Sequence, residues 1–234
     1  MTKKKLASGR EIEVMISEDG SHTLFVPELN EHYHSTHGAI QESMHVFINA
    51  GLAHCKKENL SILEIGLGTG LNAFLTALNR GAHQITYHSL EKYPITEEVV
   101  KELNYCAADD PQQKELFEKL HQLPWNKQVP WTAGMELLKL ETDLTSVNLP
   151  STYDLVYFDA FAPDIQPEMW SDEIFSKLYS AMNPGGILTT YCAKGIIRRR
   201  LIAAGFKVER LPGPPGKREM MRATKSIDGM NDDK

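Results

Sequence analysis

Three glycines stand at alternate positions in Leu63-Glu64-Ile65-Gly66-Leu67-Gly68-Thr69-Gly70, directly after an apolar run. Glycine there permits a tight strand-to-helix turn and lets a ligand approach the backbone. The spacing is G-x-G-x-G. The dinucleotide fingerprint G-x-G-x-x-G would need glycine at 71, where Leu71 stands. The Gly-Lys-Ser/Thr of a phosphate-binding P-loop is also missing from this loop. S-adenosylmethionine has no phosphate. It needs a close backbone for its methionine part and acceptors for its ribose hydroxyls. Glu91 lies 21 residues past Gly70 at the end of the next apolar run. A carboxylate there can accept from both ribose hydroxyls. Glu64 is placed to hold the loop or a cationic amino group. The alternative is a purely structural turn, with Glu91 an ordinary surface acid.

A second chemical position closes the run Asp154-Leu155-Val156-Tyr157-Phe158-Asp159. A carboxylate at the carboxyl end of an apolar strand faces the crevice where open α/β sheets bind ligands. It is costly to bury there without a partner. Its structural alternative is capping the next turn. The loop that follows carries Pro163 and Pro167 and ends in Trp170, which could stack on a base or fill the core. An acid after the third strand often reads an adenine amine. The stretch Thr132-Ala133-Gly134-Met135-Glu136 offers no aspartate, so backbone groups or Glu136 are expected to substitute.

These residues need a scaffold of alternating strands and helices. Strands are expected at 60–65, 84–90, 128–133, 153–159, 186–191, 206–211 and 219–224. Helices are expected at 70–80, 95–104, 112–122, 135–141, 171–181 and 194–204. Short apolar strands separated by helices give a mostly parallel sheet covered on both faces. The last two strands are joined by Pro212-Gly213-Pro214-Pro215-Gly216, too short for a crossover helix, so that pair is expected to be antiparallel. Before this block, runs at 10–16 and 22–26 flank Asp19-Gly20, a hairpin signal. A helix over 39–54 follows. The expected division is a hairpin-and-helix appendage at 1–58, a larger domain at 59–225 and a flexible tail at 226–234.

Length and composition agree with one large domain plus an appendage: 234 residues, 41% hydrophobic and 24% charged. No run approaches a membrane span, and no apolar signal stretch follows the basic start. Cys55, Cys106 and Cys192 are odd in number and widely spaced, which disfavours a disulfide framework or a C-x-x-C zinc site and suits a reduced cytoplasmic setting. His32, His34 and His37 have ligand-like spacing but no accompanying acid or cysteine cluster, so no metal is expected. The net charge of −6 disfavours a strongly basic nucleic-acid binder, yet Arg198 to Arg222 holds eight basic residues against two acidic ones. Such a field can attract phosphates despite an acidic total.

Three stretches together carry a family resemblance: D-A-F-A-P-x3-P-x-M-W (159–170), Y-x3-G-I-I-R-R-R (191–200) and P-G-K-R-E-M (215–220). They resemble the tRNA 5-methylaminomethyl-2-thiouridine methyltransferase family, that is MnmD and the methyltransferase domain of MnmC. Motifs match from about Glu42 to Ala223. The resemblance implies a class I S-adenosylmethionine-dependent methyltransferase fold, Rossmann-like, with a mostly parallel seven-stranded sheet and an antiparallel last strand. It implies N-methylation of 5-aminomethyl(-2-thio)uridine at the tRNA wobble position. It assigns the cofactor to Gly66, Gly68, Gly70 and Glu91, with Glu64 and Glu42 beside it, and turns Asp159 toward the reacting amine. Phe161, Pro163, Trp170, Arg198, Arg199, Arg200, Lys217 and Arg218 become candidate contacts to the anticodon loop. Ala160 replaces the glycine of the family's usual D-G-F-A-P. No flavin is expected, because the chain ends before the oxidase of the bifunctional proteins. Competing readings are methylation of a small-molecule amine and a non-catalytic cofactor-binding module.

Overall fold

A computed structural model describes residues 3–227. Residues 228–234, most of the expected tail, lie outside the described residues. Four short strands come first: β1 (Lys3–Lys5), β2 (Glu11–Ile16), β3 (His22–Val26) and β4 (Glu31–His32). They pair in sequential antiparallel order. The β2–β3 hairpin falls where Asp19-Gly20 predicted it, with Gly20 in the left-handed region at φ 82°.

The segment expected as one helix over 39–54 is broken into pieces. It begins as α1 (Ala39–Ser43), widens into a π-turn at Met44–Asn49 and ends in a 3₁₀ turn at Leu52–His54. Val46, Phe47, Ile48 and Leu52 are buried in the same core as strand residues Ile62, Tyr87 and Tyr157. The small sheet buries Leu6, Ile12, Leu24 and Val26 around Val99, with Tyr33, Tyr93 and Phe161 at the margin.

The main sheet has eight strands. They are β5 (Asn59–Ile65), β6 (Gln84–Glu91), β7 (Val129–Thr132), β8 (Met135–Glu141), β9 (Tyr153–Phe158), β10 (Met182–Thr190), β11 (Phe206–Pro212) and β12 (Glu219–Lys225). Their order is β11-β12-β10-β9-β5-β6-β8-β7. The five central strands run parallel. β12 is antiparallel to both neighbours, as the short Pro212–Gly216 connection required. The helices are α2 (Leu71–Asn79), α3 (Glu97–Val100), α4 (Pro111–Gln122), α5 (Asp172–Ser180) and α6 (Gly195–Ala203). The expected helix 95–104 is thus reduced to four residues. No helix among the described residues is long and apolar enough to cross a membrane.

One segment contradicts the sequence reading. Residues 135–141, expected as a helix, form β8, the third parallel strand. Residues 128–133, expected as that strand, form the antiparallel edge β7. Met, Leu, Glu and Lys favour a helix locally, but pairing along the whole length of β6 decides the outcome. Gly134, at φ 71°, makes the tight turn between them. Lys139 is buried, and its ammonium donates to the last-turn carbonyls of Leu120 and His121 at 2.8 and 3.0 Å. Burial lowers its pKa to about 8.

Trp170 is fully buried, edge-on to Phe158 at 4.8 Å, and its indole N–H donates to the Phe161 carbonyl at 2.8 Å. Trp170→Ala should cost about 3–5 kcal/mol of stability, read as a lower urea midpoint. An unchanged midpoint would contradict this packing role.

Candidate active site

The carboxyl ends of β8, β6, β5, β9 and β10 lie side by side. In that spatial order they deliver Asp143, Glu91, the Gly66–Gly70 loop, Asp159 and Tyr191. Chain progression reverses at β5, the switch point where open α/β sheets form a ligand crevice. A cavity of about 550 Å³ opens there. The small sheet supplies its other wall through Arg10, Glu31, Tyr33, His34 and Ser35.

The glycine loop has the conformation its residue types suggested. Gly66 and Gly68 have φ of 89° and 53° and line the cavity. A Cβ on Gly66 would meet the Asp159 carbonyl oxygen at 3.0 Å, and one on Gly68 would meet the Tyr33 ring at 3.0 Å. Gly70 faces inward against Leu120 and His121 instead of lining the cavity. Beneath the loop, the Thr69 hydroxyl bonds to His34 Nε2 at 2.8 Å. Burial lowers the pKa of His34 to about 4, so this imidazole is neutral.

Glu91 lines the cavity and braces the loop. Its carboxylate accepts from the Gly68 N–H at 2.9 Å and the Tyr93 N–H at 2.7 Å. Burial raises its pKa, opposed by those backbone bonds. Asp143, which the misassigned third strand had hidden, follows β8 and also lines the cavity. Burial works against its charge, but bonds from Lys92 at 2.8 Å and Thr145 hold its carboxyl at about 2. The aspartate that the stretch around Gly134 does not offer therefore stands nine residues later, past the end of β8. Glu136 is exposed and bonded to Gln128 at 2.5 Å.

Glu64 is fully buried and does not line the cavity. It accepts from the Ser89 hydroxyl at 2.6 Å, and burial raises its pKa to about 8. Its second oxygen, Oε1, and Asn72 Oδ1 both lack a hydrogen-bond partner. The nearby Asp159 charge also raises the Glu64 pKa, whereas the polar groups of Ser89, Tyr87 and Asn72 pull the other way, leaving the acid mostly protonated at neutral pH. Asn72 in turn donates from Nδ2 to Asp159 Oδ2 at 2.8 Å. Nothing in the sequence marked Asn72, the second residue of α2.

Asp159 lines the cavity with its pKa raised to about 7. Burial is the main cause, followed by the nearby Glu42 carboxylate; Asn72 and Lys217 pull the other way. Glu42 is buried on the cavity wall, accepts from the Ser35 N–H at 2.8 Å and pairs with Lys217 at 2.5 Å. Phe161 also lines the cavity, edge-on to Tyr33 at 5.2 Å.

The remaining candidates stand outside the cavity. Trp170 is in the core with no face left for a base, which corrects the stacking expectation. Pro163 flanks the site without lining it. Arg200 donates to the Trp170 carbonyl at 2.8 Å and lies 3.5 Å from Asp172, so it is occupied structurally. Arg199 and Arg218 are exposed and Arg198 half-buried, none lining the cavity. The histidines separate: His32 packs on Phe25, His34 bonds Thr69 and His37 pairs with Glu18. Among the described residues no group of three potential ligands could hold a metal ion.

A family model described as S-adenosyl-L-methionine-dependent methyltransferase matches residues 114–226. The tRNA 5-methylaminomethyl-2-thiouridine biosynthesis bifunctional protein MnmC of Cupriavidus metallidurans is 33% identical over 226 residues, 89% of this chain and 33% of that protein. The MnmC of Nitrosospira multiformis is 31% identical over 218 residues, 85% of this chain and 35% of that protein. The chain spans about a third of the length of these curated relatives. The crystal structure of MNMC2 from Aquifex aeolicus superposes with a TM-score of 0.77 at 24% identity, covering 97% of this chain and 75% of that one. The fold is that of the S-adenosyl-L-methionine-dependent methyltransferases. The cavity fits that cofactor. Its glycine cradle is one a Cβ would fill, and Glu91 and Asp143 are two carboxylates at the ends of adjacent strands.

Two outcomes test the site. Gly68→Ala should weaken S-adenosylmethionine binding at least tenfold in calorimetry, because the new methyl strains the loop and presses on Tyr33; unchanged affinity would refute the cradle. Glu64 holds a proton in the folded state that the unfolded chain releases above pH 4.5. Its stability contribution is therefore complete below about pH 4.5 and is lost as pH rises toward about 8. Denaturant unfolding across that window should show the native protein losing stability relative to Glu64→Gln, whereas parallel pH curves would contradict a protonated Glu64.

Proposed function

We propose that this chain is a cytoplasmic tRNA methyltransferase that methylates the primary amine of 5-aminomethyl(-2-thio)uridine at the wobble position. In this reading residues 59–225 are the methyltransferase domain and residues 1–58 an appendage that walls the acceptor side. The observation that carries it is Asp159. A half-buried carboxyl whose proton affinity is raised toward neutrality borders the cavity, with one oxygen held by Asn72.

S-adenosylmethionine supplies, when bound, an electrophilic methyl on a sulfonium. The protein must supply an uncharged nitrogen in line with it. A lysine-like amine has a pKa of roughly 10, so presenting it neutral at pH 7 costs about 4 kcal/mol. An aspartate of ordinary pKa, about 3.9, is a poor acceptor for that proton. Raised to about 7, Asp159 is far better matched. Asn72 occupies Oδ2, leaving Oδ1 to accept an amine N–H and aim the lone pair. Glu91, Asp143 and the glycine loop hold the donor.

For the acceptor RNA, the support is the similarity to MnmC proteins and the basic segment from Arg198 to Arg222. Single-stranded loops are read by splayed bases and phosphate contacts. In this reading Phe161, on the cavity wall, meets the base, and Arg198, Arg199 and Arg218 are the candidates for phosphates.

Incubation with labelled S-adenosylmethionine and tRNA from cells lacking this modification should add one methyl, found by mass spectrometry on 5-aminomethyl(-2-thio)uridine. Transfer to free amines but not to tRNA would overturn the reading. Asp159→Ala should lower kcat about 10²–10⁴-fold with little change in S-adenosylmethionine affinity. Normal turnover would remove Asp159 from the chemistry. Arg199→Glu with Arg218→Glu should weaken tRNA binding and flatten its salt dependence without affecting the donor.

A further inference from the structure

Lys217 is a basic residue that the sequence grouped with phosphate contacts, but the fold places it on the cavity wall. Its ammonium pairs with Glu42 at 2.5 Å and sits over the Tyr191 ring, 4.0 Å from the centroid. Tyr191 is itself fixed, its hydroxyl donating to the Ala160 carbonyl at 2.9 Å, next to Asp159. The segment bearing Lys217, between β11 and β12, is docked on the helical piece that bears Glu42. His45 Nε2 bonds to the Pro212 carbonyl at 2.8 Å, and Gly216 lies so close to His37 that a Cβ would meet its ring at 2.0 Å. Two elements far apart in sequence thus converge to hold one ion pair beside the cavity carboxyl.

We propose that the Glu42–Lys217 ion pair is a positioning device that sets the proton affinity of Asp159 to suit an amine acceptor. Its chemistry rests on the amine-methylating reading above; its geometry does not. The charged and titratable groups facing Asp159 are Glu64 from β5, Glu42 from α1, Tyr191 after β10 and Lys217 before β12. Glu64 is protonated and Tyr191 is held far above its ordinary pKa by burial, so both are uncharged. The ion pair therefore supplies the full charges. Glu42 raises the proton affinity of Asp159 and Lys217 lowers it, with Glu42 the stronger.

The balance matters for proton exchange with an amine. An incoming ammonium gives one proton to Asp159 Oδ1, and the N–H electron pair stays on nitrogen as the lone pair. The carboxylate becomes a carboxylic acid, and no oxidant or further reactant is needed. Without Glu42, Asp159 would be a weaker acceptor for that proton. Without Lys217, less of it would be ionised and able to accept at neutral pH.

The test follows the Asp159 carboxyl directly. Carbon-13 NMR of aspartate-labelled protein, with the resonance assigned by its loss in Asp159→Asn, gives the titration midpoint without substrate. Lys217→Met should raise the midpoint by about 1 pH unit and Glu42→Gln should lower it by about 1. Lys217→Arg, which keeps the charge, should restore it. A midpoint that stays put in either charge-removing variant, or moves the same way in both, would overturn the proposal. With tRNA substrate, the acid limb of the kcat–pH profile should move with the NMR midpoint, and a limb that ignores it would also overturn the proposal. Opposite NMR shifts in a protein that does not methylate aminomethyluridine tRNA would support the charge-setting pair and overturn the substrate reading alone.

Discussion

The arrangement depends on a half-buried carboxyl group held on the cavity wall among apolar strand ends. Asp159 at the end of β9 meets that condition. A carboxylate so placed shifts its pKa upward unless partners hold the charge. The partners here are weak or balanced: one amide hydrogen bond from Asn72 and an ion pair that faces it with both signs. The result is a carboxyl whose proton affinity is raised toward neutrality.

The rest of the molecule works to maintain that environment. Parallel strands set five loops along one edge, and the reversal at β5 opens the crevice between them. Behind Asp159 lie the buried acid Glu64, its pKa raised by burial, and Asn72, which holds one Asp159 oxygen. Trp170 is part of the same support: it locks the loop after Asp159 through the Phe161 carbonyl and leaves Phe161 itself at the cavity. In front, the small amino-terminal sheet supplies Tyr33 and His34 as a wall, packed on the glycine loop through Gly68 and Thr69. The cofactor side and the acceptor side thus share one loop, so strain introduced in either is felt in the other.

Charge is distributed by depth. Acids at the cavity divide into a strongly ionised one, Asp143 beside Lys92, and others whose pKa burial raises, Glu91 and Asp159. The first suits a permanent hydrogen-bond acceptor, whereas Asp159 suits a group that changes protonation. Basic side chains also divide: Lys217 turns inward to Glu42, whereas Arg199 and Arg218 stay in solvent. The net positive segment read from composition is therefore divided: Lys217 turns to the cavity, Arg200, Arg210 and Arg222 face acids, and Arg199 and Arg218 stay exposed.

The sequence by itself determined the strand-helix alternation, the antiparallel carboxyl-terminal pair, and the placement of Gly66, Gly68, Glu91 and Asp159 on the cavity. These follow from short-range rules: apolar runs make strands, glycine permits turns, and acids at strand ends reach the crevice. Only the tertiary structure decided that 135–141 is a strand, because its local preference is helical and only pairing with β6 overrides it. That choice also hid Asp143, one strand end away from where an acid was sought. Trp170 as core, Asn72 as the Asp159 partner and Lys217 as the Glu42 partner were equally beyond local reading. Each rests on contacts between residues 12 to 175 positions apart, and side-chain type alone does not say which distant neighbour the fold will bring within bonding distance.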